Sequence, residues 1–389
     1  MVFFLVSAGC QTSLPVSENS NNNTSGIINQ QTEVNNLEEE IQIQPAEPEK
    51  ENVVTEAVDE IKNQKIEIMF LGDVMMDSFI ADYIRDYGVD YPWTDVSPIL
   101  NKADIVVANL ETSVSTRGLT KKPKGFGFRS APDTLQGLVN SGIDLVTLAN
   151  NHVKDYGDDA FFDTLAHLDE YNIKYAGAGK NLEEAEQAVI LEHNGLKIGF
   201  LSLSSIIPWQ GWQADEESPG VAELNPEDYQ GLLQNIQEAK NKSDIVIVIL
   251  HWGTEYKYEP NDWQVELAHK MIDNGADVII GHHPHILQGI EFYQEKPILY
   301  SIGNFVFLKK NDDAGKTGIF RLVLNKDGFI EGSIYPVYIK YTKANLLEKD
   351  SSLYNEIIKD LSKYSKELET HVEDNGVFYP DPQNDERLN

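Results

Sequence analysis

Seven short apolar runs, most of them rich in β-branched residues, constrain this chain more than any other feature. They are "KIEIMFLGD" (65–73), "DIVVANLE" (104–111), "DLVTLANN" (144–151), "LKIGFLSLS" (196–204), "DIVIVILHW" (244–252), "DVIIG" (277–281) and "PILYSIGNF" (297–305). Nearly continuous apolar character predicts strands covered on both faces. Amphipathic patterns at 158–172, 225–241 and 261–275 lie between several of them and predict helices. Strand alternating with helix implies α/β layers. Farther on, "GIFRLVLN" and "GSIYPVYIKY" read as antiparallel strands with no helix between them. A last amphipathic helix at about 351–370 and a Pro/Asp/Asn tail follow. The expected division is a domain over 65–345 and a C-terminal helix and tail over 346–389.

The first 64 residues have a different texture. Residues 11–64 carry eleven acids against two lysines, with many Asn, Gln and Ser and few aromatics. Such a segment cannot bury enough apolar surface to offset its ordering entropy, so it is expected to be a disordered acidic linker. Ahead of it, "MVFFLVSAGC" (1–10) places small residues just before the chain's one cysteine. The run resembles the end of a bacterial lipoprotein signal peptide, although no Lys or Arg precedes it. The expectation is a lipidated Cys10 and a domain anchored on the extracytoplasmic face of the membrane. The run itself is too short to span a bilayer. A formal charge of −32 argues against a nucleic-acid partner.

The chemistry lies in what ends the strands. "FLGD" delivers Asp73, "VANLE" Asn109 and Glu111, and "TLANNH" Asn150, Asn151 and His152. "VILHWGTEY" delivers His251 and Glu255, "IIGHHPH" His282, His283 and His285, and "YSIGNF" Asn304. In α/β sheets the crevice at the strands' carboxyl ends is where ligands bind. Carboxylates, an amide oxygen and imidazoles together suit one or two divalent ions of the Mn, Fe or Zn kind, and the lack of thiolates disfavours a structural zinc site.

The ordered set "FLGDVMMD", "VANLETSVS", "LANNHVKDYG", "LHWGTEY", "GHHPHILQGIE" and "YSIGNFVF" closely resembles the bacterial capsule-synthesis protein family, the CapA-like proteins of poly-γ-glutamate synthesis. That family is similar to the calcineurin-like metallophosphoesterases. The resemblance implies a four-layer α/β/β/α sandwich with a metal centre at one edge. It implies metal ligation by Asp73, Glu111, Asn151, His251, His283 and His285, with His282 left out. It also implies that His152 contacts a phosphoryl group or its leaving oxygen. The superfamily's first motif has a histidine two residues after the aspartate, and this chain has Met75 there. Asp77 either compensates for Met75 at the metal or is a first-turn helix carboxylate.

Asp155 either orients His152, as part of a catalytic pair, or caps the helix after it. Asn109, Glu255 and Asn304 are substrate-binding candidates, as are Lys124 and Arg129 of the basic stretch "KKPKGFGFRS" (121–130). That stretch, which also holds Lys121 and Lys122, is either solvated or an anion-binding loop. Trp209 and Trp212 either cover a substrate or seal a core. Two functions remain open: a surface-anchored metal-dependent hydrolase or transferase of capsule synthesis, or a non-catalytic accessory protein. The implied partners are an anionic envelope polymer such as poly-γ-glutamate and a membrane-bound polymer synthase.

Overall fold

A computed structural model describes residues 64–381 except 121, 124 and 125. The expectations for Cys10, for nearly all of the acidic linker, and for Lys121 and Lys124 fall outside the described residues.

The first strand, β1 (Lys65–Val74), shows how the layers arise. Its side chains alternate between two cores. Ile66, Ile68 and Phe70 enter a cluster with Ile198, Phe200, Ile247, Ile249 and Ile280 of a second sheet. Met69 and Leu71 enter another cluster, with Ile80, Phe161 and Leu165 of the helices on the opposite side. The second sheet likewise turns Leu201, Val246, Val248 and Ile279 toward helices that supply Ile236, Leu267 and Met271. Two sheets pressed together with helices outside each make a four-layer α/β/β/α sandwich, as the family resemblance implies. Truncating a buried Ile or Phe costs about 2–5 kcal/mol, so stability resides in these three clusters and not in the polar strand ends.

In the first sheet β1 lies between β2 (Ile105–Leu110) and β12 (Lys316–Asn325). Beyond β2 come β3 (Leu145–Thr147) and β4 (Lys174–Ala176), all parallel to β1. Beyond β12 comes its antiparallel partner β13 (Gly328–Lys340), with β14 (Lys343–Leu346), β15 (Thr370–Val372) and β16 (Val377–Pro380) farther out. The second sheet runs β9 (Ile290–Tyr293), β10 (Lys296–Leu299), β8 (Val278–His282), β7 (Ile245–His251), β6 (Leu196–Ser204) and β5 (Val189–His193). Helices α1 (Phe79–Tyr87) and α2 (Gly157–Glu170) cover the first sheet; α3 (Gln230–Lys242) and α4 (Asp262–Asp273) cover the second.

Two expectations need correction. "PILYSIGNF" is not one strand: its first half is β10, in the second sheet, and its end begins β11 (Asn304–Val306), which pairs with β1 in the first. The crossing at Tyr300–Gly303 passes so close to both sheets that only glycine fits beside it. A Cβ on Gly72 would lie 2.0 Å from the Gly303 carbonyl oxygen, and one on Gly281 would lie 1.9 Å from that of Tyr300. The second correction concerns the boundary at 345/346. Helix α5 (Ser352–Lys366) sends Tyr354, Ile357, Ile358 and Leu361 into the core between the sheets, and Val372 and Phe378 join them. This segment completes the fold.

Candidate metal centre

Strand register brings the site together. Asp73 stands beside Asn109 on one side and Asn304 on the other, and Asn109 stands beside Thr147. In the second sheet His251 pairs with His282. Glu111 follows β2 directly, its N–H donating to the Val74 carbonyl at 2.8 Å.

Two groups of ligand-type side chains result, Glu111–His251–His283 and Asp73–Glu111–His285. In each, one ligand atom per residue lies within 4.8 Å of the others. Glu111 belongs to both. It is wholly buried, and neither carboxylate oxygen has a hydrogen-bond partner among the described residues. Its Oε1 lies 3.6 Å from His251 Nε2 and 3.8 Å from His152 Nε2. Asp73 Oδ2 is 3.2 Å from His285 Nδ1. Asn151 Oδ1 is 2.8 Å from His251 Nε2, which adds an amide oxygen to the first group. A buried carboxylate without partners is costly unless a cation or proton neutralises it.

Electrostatics agree with that reading. Burial, and then the Asp73 charge, push Glu111 well above the usual carboxylate range. Burial pulls His285 down, but the Glu111 charge and the Asp73 hydrogen bond more than offset it, leaving it at about 9. Burial, reinforced by His285, drives His283 to about 3. His285 thus holds a proton at neutral pH, which a divalent ion would displace on binding. The donor set fits such an ion.

The turn that carries His283 and His285 is strained. Their φ angles are 96° and 60°, and that of Tyr256, whose N–H donates to the Pro284 carbonyl at 2.9 Å, is 59°. Left-handed backbone at non-glycine residues costs on the order of 1–3 kcal/mol each and persists where the surroundings over-determine it. His282 takes a different place. It closes β8, and its Nε2 lies 3.2 Å from the Leu71 carbonyl oxygen of the opposite sheet. That contact ties the two sheets together and keeps the ring out of both groups.

His152 faces the cluster from the other rim. Its Nδ1 is 2.7 Å from Asp155 Oδ2, and an acceptor-only carboxylate makes that nitrogen the donor. Nε2 then has no hydrogen-bond partner among the described residues and is turned toward Glu111. The alternative reading of Asp155 as a helix cap does not hold, because Tyr156 occupies the N-cap of α2 without a side-chain cap bond. Asp155 instead accepts from Phe128 N–H at 2.9 Å and pairs with Lys122 at 2.7 Å.

Several substrate-binding candidates sit elsewhere than expected. Asn109 is buried, its amide nitrogen 2.8 Å from Asp73 Oδ1 and its oxygen accepting from Thr147 and Asn150, each at 3.1 Å. Asn304 is buried too, its oxygen 2.9 Å from His285 Nδ1 and its nitrogen donating to the His285 and Ala314 carbonyls. Both amides are fully occupied behind the cluster, so they orient Asp73 and His285 and are not free for a substrate. The Arg129 guanidinium turns to the Arg117 and Gly118 carbonyls and the Tyr156 ring. Glu255 is exposed, 3.8 Å from Lys310. Asp77 precedes Ser78, the N-cap of α1, and accepts from Arg129 N–H, so it is a loop tie and not a first-turn residue. Trp212 seals the core and donates to the Asn150 carbonyl.

Sequence reasoning passed over Lys122. Its ammonium is 2.7 Å from Asp155 Oδ1, 2.7 Å from the Asn151 carbonyl and 3.1 Å from His152 Nδ1. It lay in the same basic stretch as Lys124, and nothing in one sequence ranks two lysines of one loop.

Comparison with known proteins identifies the family. The profile described as bacterial capsule synthesis protein PGA_cap matches residues 67–309. The capsule biosynthesis protein CapA of Bacillus anthracis is 32% identical over 323 residues, 79% of this chain and 77% of the relative. The PGA biosynthesis protein CapA of Bacillus subtilis is 33% identical over 298 residues, 76% of this chain and 77% of the relative. A Mycobacterium tuberculosis relative, described as a probable polyglutamine synthesis accessory protein, is 30% identical over 56% of this chain and 59% of its own length. A solved structure described as a novel phosphatase of Mycoplasma pneumoniae aligns with 71% of this chain and 94% of its own, at 14% identity and a TM-score of 0.44; likeness at that level adds nothing to the sheet order given above. With the profile spanning most of the two-sheet core and two relatives matching over three quarters of their lengths, the chain belongs to the bacterial capsule synthesis protein family.

Proposed function

We propose that this chain is a surface-anchored, metal-dependent hydrolase or transferase acting on a phosphoester or on an envelope polymer such as poly-γ-glutamate, or its precursor. One observation carries the reading: buried Glu111, with no hydrogen bond to either oxygen among the described residues, is shared by two sets of three ligand-type side chains. When bound, divalent ions supply electrophilic activation of a phosphoryl or acyl oxygen and a nucleophile at neutral pH. Asp73, Glu111 and His285 would hold one; Glu111, Asn151, His251 and His283 would hold the other. Around them the chain's own groups divide the work. Asp155 fixes the His152 ring, and the bare Nε2 is directed at the cluster, where it can exchange a proton with a substrate oxygen. Lys122 balances the charge of Asp155 and ties its loop to Asn151.

The two groups are unequal. One has four side chains and the other three, because Met75 stands where a further ligand would be, its sulfur accepting from Asp77 N–H. Titration with manganese is therefore expected to show one tight and one weaker site; two equal affinities would contradict the assignment. The same inequality supports a second reading, a non-catalytic accessory protein that binds the anionic polymer or its synthase. Phosphodiester hydrolysis by the full chain in added manganese tests the first reading. Activity lost in His152→Ala, with metal content unchanged, is the expected result. A metal-loaded protein that turns over neither a phosphodiester nor the polymer leaves the accessory role.

The anchor is part of the proposal. "VSAGC" ahead of an acidic segment supports lipidation of Cys10. Cys10→Ser is expected to release the protein from the membrane fraction of the producing cells, and unchanged fractionation would remove the anchor from the account.

A further inference from the structure

Resting on the metal reading above, we propose that Tyr256 and Lys310 form an oxyanion-binding wall of the centre, the phenol donating to a phosphoryl or carboxylate oxygen of the ligand and the ammonium supplying charge. Tyr256 lies in the turn after β7, five residues beyond His251. Its backbone N–H is bonded to the carbonyl of Pro284, the residue between His283 and His285, which joins the two turns. Its ring centroid is 6.0 Å from that of His285. The residue is half-buried, yet the phenolic oxygen has no hydrogen-bond partner among the described residues.

Three other tyrosines differ. Tyr258 donates to Asp313 at 2.6 Å, Tyr300 to Glu291 at 2.5 Å and Tyr338 to Asp312 at 3.0 Å. Tyr256 alone of these four keeps an unused donor, and it keeps it beside the ligand cluster. Burial first, then the charges of Glu255, Glu111 and Asp73, push its phenol up to about 12, so the proton is retained for donation. The backbone makes the same point: φ is 59°, a region where glycine or asparagine fits more easily than a bulky ring.

Lys310 lies on the outer side. Its ammonium is 4.8 Å from the Tyr256 ring centroid, and 68% of its side chain is exposed. Glu255, the carboxylate paired with it among the described residues, is 3.8 Å away. In a chain of net charge −32 a cation beside the site mouth favours an anionic ligand. His285, Tyr256 and Lys310 therefore form a path from the cluster to solvent whose members are a ligand-type ring, a donor and a positive charge.

The test is isothermal titration of the manganese-loaded full chain with inorganic phosphate and, separately, with γ-glutamyl-glutamate, which distinguishes a phosphoryl from a carboxylate source. Tyr256→Phe keeps the ring and removes only the donor. It is expected to retain its manganese and to bind the preferred anion about tenfold more weakly, the order expected for a hydrogen bond to a charged group. Lys310→Gln is expected to weaken binding less, with the difference vanishing at high salt. Tyr256→Phe that binds both anions as tightly as wild type overturns the proposal. So does wild-type protein that loads manganese and takes neither anion. Failure to load manganese overturns the metal reading and this one with it, and metal content measured on the same samples tells the two failures apart.

Discussion

Glu111→Gln is expected to abolish metal uptake at both positions at once, with almost no effect on the metal-free fold. The reason is the sharing of one carboxylate by two ligand groups. Glutamine keeps the volume and leaves one oxygen, but it loses the negative charge that both positions use. In the metal-free protein burial and the nearby Asp73 charge hold Glu111 well above the usual carboxylate range, so charge is disfavoured at this position. A neutral amide of the same shape at a position that disfavours charge therefore changes little. Melting curves separate the effects. Wild-type protein at a metal concentration a hundred times its Kd is stabilised by about 2.7 kcal/mol. The variant is expected to melt near the metal-free wild type and to gain nothing from added manganese. A variant that still shows the full metal-induced rise would show that Glu111 is not shared.

The second large effect is a contrast within one turn. His285→Ala removes one of three side chains from its group and leaves Asp73 and Asn304 without the imidazole between them. Loss of an outer hydrogen-bond partner typically costs 10–100-fold in metal affinity, so loss of the ligand itself is expected to cost more than that. Folding is expected to survive, because the inter-sheet core consists of Ile, Leu and Phe side chains. His282→Ala is expected to do the reverse. It breaks the contact with the Leu71 carbonyl between the sheets, worth about 1–3 kcal/mol when a buried partner is left unmade. Metal content is expected to stay at the wild-type level. The two variants, measured for metal and for melting temperature, should move in opposite columns; identical behaviour would mean that the triplet acts as a unit.

Much of this arrangement was legible in the residues. Runs such as "DIVIVILHW" and "DVIIG" are apolar throughout because they lie between a core and a helix layer, and that double burial is written into them. The polar residue ending each run was legible too, because a strand that is apolar to its last residue has little other use for Asp73, His251 or His283. What remained hidden is what depends on three dimensions. "PILYSIGNF" reads as one strand, and only the close passage at Gly72 and Gly281 shows that it changes sheets. Asn109 and Asn304 sit at strand ends like the others, yet neighbours on both sides consume their amides. A sequence gives the donor but not whether its hydrogen bonds are already made. Lys122 and Tyr256 show the converse. Nothing in "KKPKG" separates Lys122 from its neighbours, and only the turn at Pro284 brings Tyr256 beside His285.

The most direct test of the account is the metal content of the purified full chain. After exposure to manganese and removal of free ion, elemental analysis is expected to find at least one equivalent per chain in wild type, and none above background in Glu111→Gln. Wild-type protein that folds, as its melting curve would show, and retains no metal from manganese, iron or zinc would contradict it.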